Sequence, residues 1–184
     1  MTCICSEVDH SDFDLIVKEE LKNPIYVNNI ANESYCVSID LDIDEEFIDI
    51  SLDKNEILEG LKKKMGLYQL WVEQDYCGDH VDHRMLCVYT GKGYVHTRLL
   101  RDHIPKKWVK DEKLYVTFYE CSNRIAKYLE QLFLDTYDFH FNKDENYGYK
   151  ILHSMWEEGR VVNGTELHEQ SELLSQKNPE FFNP

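Results

Sequence analysis

The chain has 184 residues, of which 42% are apolar and 30% charged, and its formal net charge is −15. That length can bury a core without disulfide staples, and the composition is that of a globular chain rather than a disordered one. No apolar run approaches the roughly 18 residues needed to cross a bilayer, so no membrane role is expected.

The first residues, Met1-Thr2-Cys3-Ile4-Cys5, carry neither the basic nor the apolar region of a signal peptide. The expectation is a cytoplasmic protein whose six cysteines are free thiols. Asp12 to Leu21 places Phe13, Leu15, Ile16 and Val17 before an acidic stretch and predicts a helix that stops near Pro24. Ser34 to Leu41 alternates through Tyr35, Val37 and Ile39 and predicts a strand. The acidic run from Asp40 to Asp49 lacks the glycine of a calcium-binding EF-hand loop, and it reads as a solvated face or a partner surface. Lys54 to Met65 has Ile57, Leu58 and Leu61 at helical spacing, with Lys62-Lys63-Lys64 where cations suit the helix dipole.

Leu67 to Val72 predicts a strand, Glu73 to Arg84 a polar loop, and Met85 to Thr90 a second strand ended by Gly91-Lys92-Gly93. Cys77, His80 and His83, at spacings of three, could seat zinc. No fourth ligand and no paired CxxC accompanies them, so a solvated loop is preferred. Val95 to Ile104 predicts a short helix terminated by Pro105. Leu114 to Cys121 alternates as a third strand, and Cys87 and Cys121 read as small core residues. Ser122 is a candidate N-cap for a helix running to about Tyr137, and Leu173-Leu174 suggest a last short helix.

The charge is unevenly spread. Residues 1–60 hold 16 acidic against 3 basic side chains, residues 61–150 hold 13 against 15, and residues 151–184 hold 6 against 2. A strongly acidic surface repels polyphosphate, but the middle block is mildly basic. It also holds the residues with chemical potential: strand tyrosines Tyr68 and Tyr89, a helix with Arg98 and Arg101, and Glu130. At i±3 and i±4 from Glu130 stand Ala126, Lys127, Phe133 and Leu134, so its carboxylate borders a buried stripe. Such a carboxylate is costly unless it is paired or bound to a metal.

The order of these residues resembles the GIY-YIG nuclease family over roughly residues 66–143. Gly66-Leu67-Tyr68 resembles the first signature tripeptide and Tyr89-Thr90-Gly91 the second, each with a substituted middle residue. Arg98, nine residues after Tyr89, resembles the family arginine, with Arg101 as the alternative register. His103 resembles a histidine often found a turn later. Tyr128 to Tyr137 resembles the glutamate helix, and Phe141-Asn142 its aromatic-asparagine close.

The resemblance implies hydrolysis of phosphodiester bonds in DNA, with RNA as a further possible substrate. It implies one Mg²⁺ or Mn²⁺ held by Glu130 with water filling most of its shell. Arg98 would clamp the non-bridging oxygens. Tyr68 or Tyr89 would orient or deprotonate the water, with Lys92 depressing the tyrosine pKa, and His103 is an alternative proton relay. Asn142 would fix the glutamate helix or a tyrosine hydroxyl. Gly91, Arg101, Lys106, Lys107 and Lys110 would line the phosphate path.

The fold expected is α/β (α+β): a small, mostly antiparallel three-stranded sheet with flanking helices. Its organisation would be an acidic N-terminal α/β extension (1–60), a nuclease-like domain (61–150) and a C-terminal extension (151–184). The rival is an acidic interaction or nucleic-acid-mimic protein on an inactive nuclease scaffold, its N-terminal third suited to a basic protein partner.

Overall fold

The computed structural model describes residues 3–40, 58–106 and 113–165. The predicted helix at Leu173-Leu174, most of the acidic run, and Lys107 and Lys110 lie outside the described residues. A 3-10 turn (Ile4–Glu7) leads to helices α1 (Ser11–Glu20) and α2 (Val27–Ala31) and to strand β1 (Tyr35–Asp40). Strands β2 (Met65–Cys77) and β3 (Asp82–Tyr94) follow. The next helical segment comprises α3 (Val95–Arg98), a π turn (Leu99–His103) and a 3-10 turn (Ile104–Lys106). Then come β4 (Lys113–Glu120), α4 (Asn123–Thr136), β5 (His153–Glu157) and α5 (Glu158–Asn163).

The sheet has five strands in the order β1-β4-β2-β3-β5, and every pairing is antiparallel. The three predicted strands of the middle block form its centre. The count of three is therefore corrected to five: β1, predicted as a strand but placed in an extension, pairs with β4, and β5 pairs with β3. β5 escapes a hydrophobic reading because its two buried residues are Ser154 and Trp156. Ser154 satisfies its hydroxyl by donating to Asn32 Oδ1 at 2.7 Å, so a polar residue occupies an inward position.

From Gly66 to Val72, β2 is buried on both faces because both are covered. Leu67 and Trp71 point into a cluster with α1, α2 and α4, where the Phe13 and Phe133 rings lie 4.2 Å apart. Tyr68, Leu70 and Val72 point into a second cluster with Leu58, Leu61, Val95 and Leu99. In α4, Ile125, Ala126, Leu129 and Phe133 are buried at helical spacing. The Ser122 cap is present, its hydroxyl accepting from the Ile125 N–H at 3.4 Å.

Four local expectations change. Glu73 to Arg84 is not a loop: β2 and β3 continue as a ribbon, with pairs running out to Cys77↔Asp82. Polar side chains are tolerated there because Glu73 to Tyr76 are exposed while their backbones pair. Gly91-Lys92-Gly93 is not a turn but the last part of β3, paired with Tyr68, Leu67 and Gly66 in turn. The predicted helix ending at Met65 stops earlier, since Met65 already pairs with Tyr94. Pro105, expected to end its helix, sits inside the closing 3-10 turn, where no α-helical hydrogen bond needs its missing N–H.

One irregularity matters for the site. Leu70 faces Tyr89 and Trp71 faces Cys87, so Val88 is an extra residue in β3. This bulge re-phases the strand. Cys87 joins the α4-side cluster, while Tyr89, two residues on, joins Tyr68 on the opposite face.

Candidate active site

Tyr68 and Tyr89 stand on neighbouring strands with ring centroids 5.9 Å apart. Both pack on His103, whose ring centroid is 5.7 Å from that of Tyr68 and 4.6 Å from that of Tyr89. The Tyr68 Oη lies 2.8 Å from His103 Nε2. Gly91, directly across from Tyr68, makes this packing possible. A Cβ there would stand 2.7 Å from a Tyr89 ring carbon and 2.9 Å from the Tyr68 hydroxyl, closer than atoms in contact can approach.

The outer edge of β3 beyond Leu86 is not covered by β5, whose pairing ends at Leu86↔His153. Its backbone groups must find partners elsewhere. Val88 O accepts from the Phe141 N–H at 3.0 Å. The Asn142 carboxamide takes the place of a neighbouring strand, accepting from Thr90 N–H at 3.0 Å and donating to Thr90 O at 2.9 Å. Glu130 Oε1 accepts from the Lys92 N–H at 3.2 Å. The Lys92 ammonium ion-pairs with the other oxygen, Oε2. Asn142 thus fixes the end of β3, not the glutamate helix or a tyrosine hydroxyl.

Arg98 and Arg101 both reach Asp102. Arg98 Nη1 stands 3.1 Å from Asp102 Oδ2, and Arg101 forks onto the carboxylate at 2.7 and 2.8 Å. This pair of cations holds the Asp102 carboxyl well below its ordinary range. The arginines differ in what else they influence. The charge of Arg98 bears on Tyr68 and Tyr89 as well as on Asp102, whereas Arg101 is engaged chiefly with Asp102. The charges of Glu130 and Arg98 both bear on the two tyrosines. Lys106 is exposed on the closing 3-10 turn, close enough for its charge to act on His103.

The electrostatics overturn one expectation. Burial raises Tyr68 far above its usual pKa, and burial likewise raises Tyr89. Lys92 does not depress them, because its ammonium is spent on Glu130. His103 is pushed down to about 4, chiefly by burial and secondarily by Lys106. At neutral pH the cluster therefore holds two protonated tyrosines and a neutral imidazole. In the sequence, Asp102 stands at i,i+4 from Arg98 and next to Arg101, and that spacing does not reveal a shared carboxylate. Both arginines reach it from the α3 segment and the π turn that follows.

Comparison of the chain with protein-family models, with curated proteins and with solved structures finds no match. Among the described residues, no helix is long and apolar enough to cross a membrane.

Proposed function

We propose that this protein is a metal-dependent endonuclease that hydrolyses phosphodiester bonds in DNA through a GIY-YIG-like site. What supports this reading most is one convergence: Tyr68, Tyr89, His103, Arg98, Lys92 and Glu130 come from β2, β3, the α3 segment and α4 to act on one another at the open edge of β3. No packing requirement alone gathers two tyrosines, an exposed arginine and a half-buried carboxylate at one strand end.

The donor set fits a single divalent cation with few protein ligands. Glu130 offers an oxygen donor of the kind Mg²⁺ or Mn²⁺ prefers, and the Lys92 ammonium stands on it as a positive charge in the cation's place. Glu130 would hold the ion once Lys92 turns aside. The bound ion would supply charge neutralisation at the scissile phosphate. Arg98, about half exposed, would donate its forked N–H groups to the non-bridging oxygens. The tyrosines, kept protonated by burial, would orient the attacking water through their hydroxyls rather than remove its proton. His103 would position Tyr68. Lys92, freed from Glu130, could meet the phosphate charge.

The deciding experiment is nicking of supercoiled plasmid with Mg²⁺ or Mn²⁺ by the intact protein, Glu130→Ala and Arg98→Ala. Metal-dependent nicking that both substitutions abolish is the expected result. Undiminished cleavage by Glu130→Ala would sink the mechanism. Cleavage of RNA but not DNA would move the substrate and keep the site.

A second reading, an interaction protein on a silent nuclease scaffold, is favoured by the same ion pair. A lysine seated on the one metal-binding carboxylate of the cluster suits a site that no longer takes a cation. The acid of residues 1–60 would then serve a basic protein partner. No cleavage of DNA or RNA, together with a stable complex with a basic protein, is its signature.

A further inference from the structure

Four potential metal ligands meet far from the tyrosine cluster, at the tip of the β2–β3 ribbon. Their donor atoms, on Cys3, Cys5, Cys77 and His80, all lie within 4.8 Å of one another. Cys3 Sγ is 3.3 Å from Cys77 Sγ and 3.3 Å from His80 Nδ1. Cys5 Sγ and Cys77 Sγ stand 3.4 and 3.5 Å from the same nitrogen. With bonds of about 2.3 Å to sulfur and about 2.0 Å to nitrogen, the ligands of a tetrahedral zinc stand roughly 3.5–3.8 Å apart. These four separations fall within a few tenths of an ångström of that figure, and the remaining two pairs lie within 4.8 Å. We propose that Cys3, Cys5, Cys77 and His80 form a structural Zn²⁺ site that clasps the N-terminal arm to the tip of the β2–β3 ribbon.

The backbone builds both halves of the site. Cys77 closes β2, and the turn through Val81, with its φ of 60°, returns the Val81 N–H to Cys77 O at 2.8 Å. His80 is thereby placed beside the Cys77 sulfur. On the arm, Cys3 caps the 3-10 turn that contains Cys5, and the Ser6 N–H and hydroxyl both donate to Cys3 O. That turn aims two sulfurs, two residues apart, at one nitrogen. Glu7 and His10 carry the arm onto the sheet, through Arg84 at 2.9 Å and His153 O at 2.7 Å.

The chemistry selects the ion. Three thiolates and an imidazole suit a borderline-soft cation and not Mg²⁺ or Ca²⁺. All four positions are filled by protein, as in closed structural sites, whereas a catalytic zinc keeps one position for water or substrate. His83, considered from sequence as a ligand, turns away and pairs with Glu73 at 2.7 Å. The missing ligands come instead from Cys3 and Cys5, more than 70 residues upstream of Cys77.

This inference is independent of the nuclease reading and has its own test. The full-length protein, purified under reducing conditions, is analysed for metal content, stripped with a chelator, and titrated with Co²⁺ and Zn²⁺. The expected result is one zinc per chain. Co²⁺ loading should give the intense visible bands and thiolate-to-metal charge-transfer absorption of a tetrahedral three-thiolate site, with Zn²⁺ displacing Co²⁺. Cys5→Ser and His80→Ala should lower zinc affinity at least about a hundredfold, as expected for loss of a ligand from a structural site. Cys121→Ser, which changes a buried cysteine outside the cluster, should leave it unchanged. Three results would overturn the proposal: no metal and no tetrahedral cobalt spectrum from folded intact protein, iron in place of zinc, or a Cys3–Cys77 disulfide under reducing conditions. The cobalt titration of the intact chain decides the matter even if a cysteine variant fails to fold.

Discussion

The Tyr68 hydroxyl and His103 Nε2 meet at 2.8 Å in a buried contact that joins the middle of the sheet to the π turn. Burial holds His103 at a pKa of about 4, against an ordinary 6.5. Unfolding restores the ordinary value, so between those limits the unfolded chain binds more protons than the folded one. The contribution to stability is complete above pH 6.5 and is lost as pH falls from 6.5 through about 4. We expect a loss of about 2–3 kcal/mol across that window from this residue. Denaturant unfolding at several pH values should show it, and the slope should shrink in His103→Gln. An identical slope in the variant would mean that other groups carry the acid sensitivity.

Arg98 and Arg101 share Asp102, and the charge of Arg98 also bears on the two tyrosines. Under the nuclease reading, Arg98→Ala should lower kcat by about 10²–10³, the range for losing one preorganised donor to a transition-state oxyanion. Arg101→Ala, a change at an exposed side chain, should lower it less than about tenfold while weakening DNA binding at low salt. Single-turnover cleavage of a labelled duplex separates the two effects. Equal losses from both would return the arginine register to an open choice.

Under the nuclease reading, a divalent cation would have to compete with the Lys92 ammonium, which pairs with Glu130. Removing the ammonium with Lys92→Met should tighten Mn²⁺ binding by about tenfold, equivalent to about 1.4 kcal/mol. Glu130→Gln should weaken binding by more than that. Paramagnetic titration with Mn²⁺ reads both. Unchanged Mn²⁺ affinity in Lys92→Met would show that the lysine does not gate the carboxylate.

Asn142 serves the fold as well as the site. Its carboxamide pairs both Thr90 backbone groups at the uncovered edge of β3. Asn142→Ala should cost about 1–3 kcal/mol by leaving those groups without their partner. Asn142→Asp keeps the acceptor for Thr90 N–H but puts an oxygen against Thr90 O, so it should not recover the loss. Chemical denaturation measures both. A cost below about 0.5 kcal/mol for Asn142→Ala would show that water replaces the carboxamide.

The central strands were legible because β2, β3 and β4 carry short runs rich in apolar, β-branched and aromatic residues, which β2 and β4 bury on both faces. α1 and α4 were legible because Phe13/Val17 and Ile125/Leu129/Phe133 repeat at helical spacing. The ribbon from Glu73 to Arg84 was not, since its side chains are polar and its order comes from backbone pairing, which has no side-chain signature. β5 was hidden by Ser154, whose inward place depends on a hydrogen bond to Asn32.

By itself the sequence determined the types of residue available for chemistry, their order, and the helices and strands with one clear apolar period. Hydrophobic periodicity is a local property, and a single segment displays it without knowledge of its neighbours. Only the tertiary structure decided which side chains meet. The extra residue at Val88 turned Tyr89 onto the face of Tyr68, and the uncovered edge of β3 drew in Asn142 and Glu130. Lys92 went to Glu130 and so left the tyrosine pKa values to burial. A chain reversal of more than 70 residues set Cys3 and Cys5 beside Cys77 and His80. Such contacts follow from how strands pair and where a sheet edge is left uncovered, and neither is written in the spacing of residues along the chain.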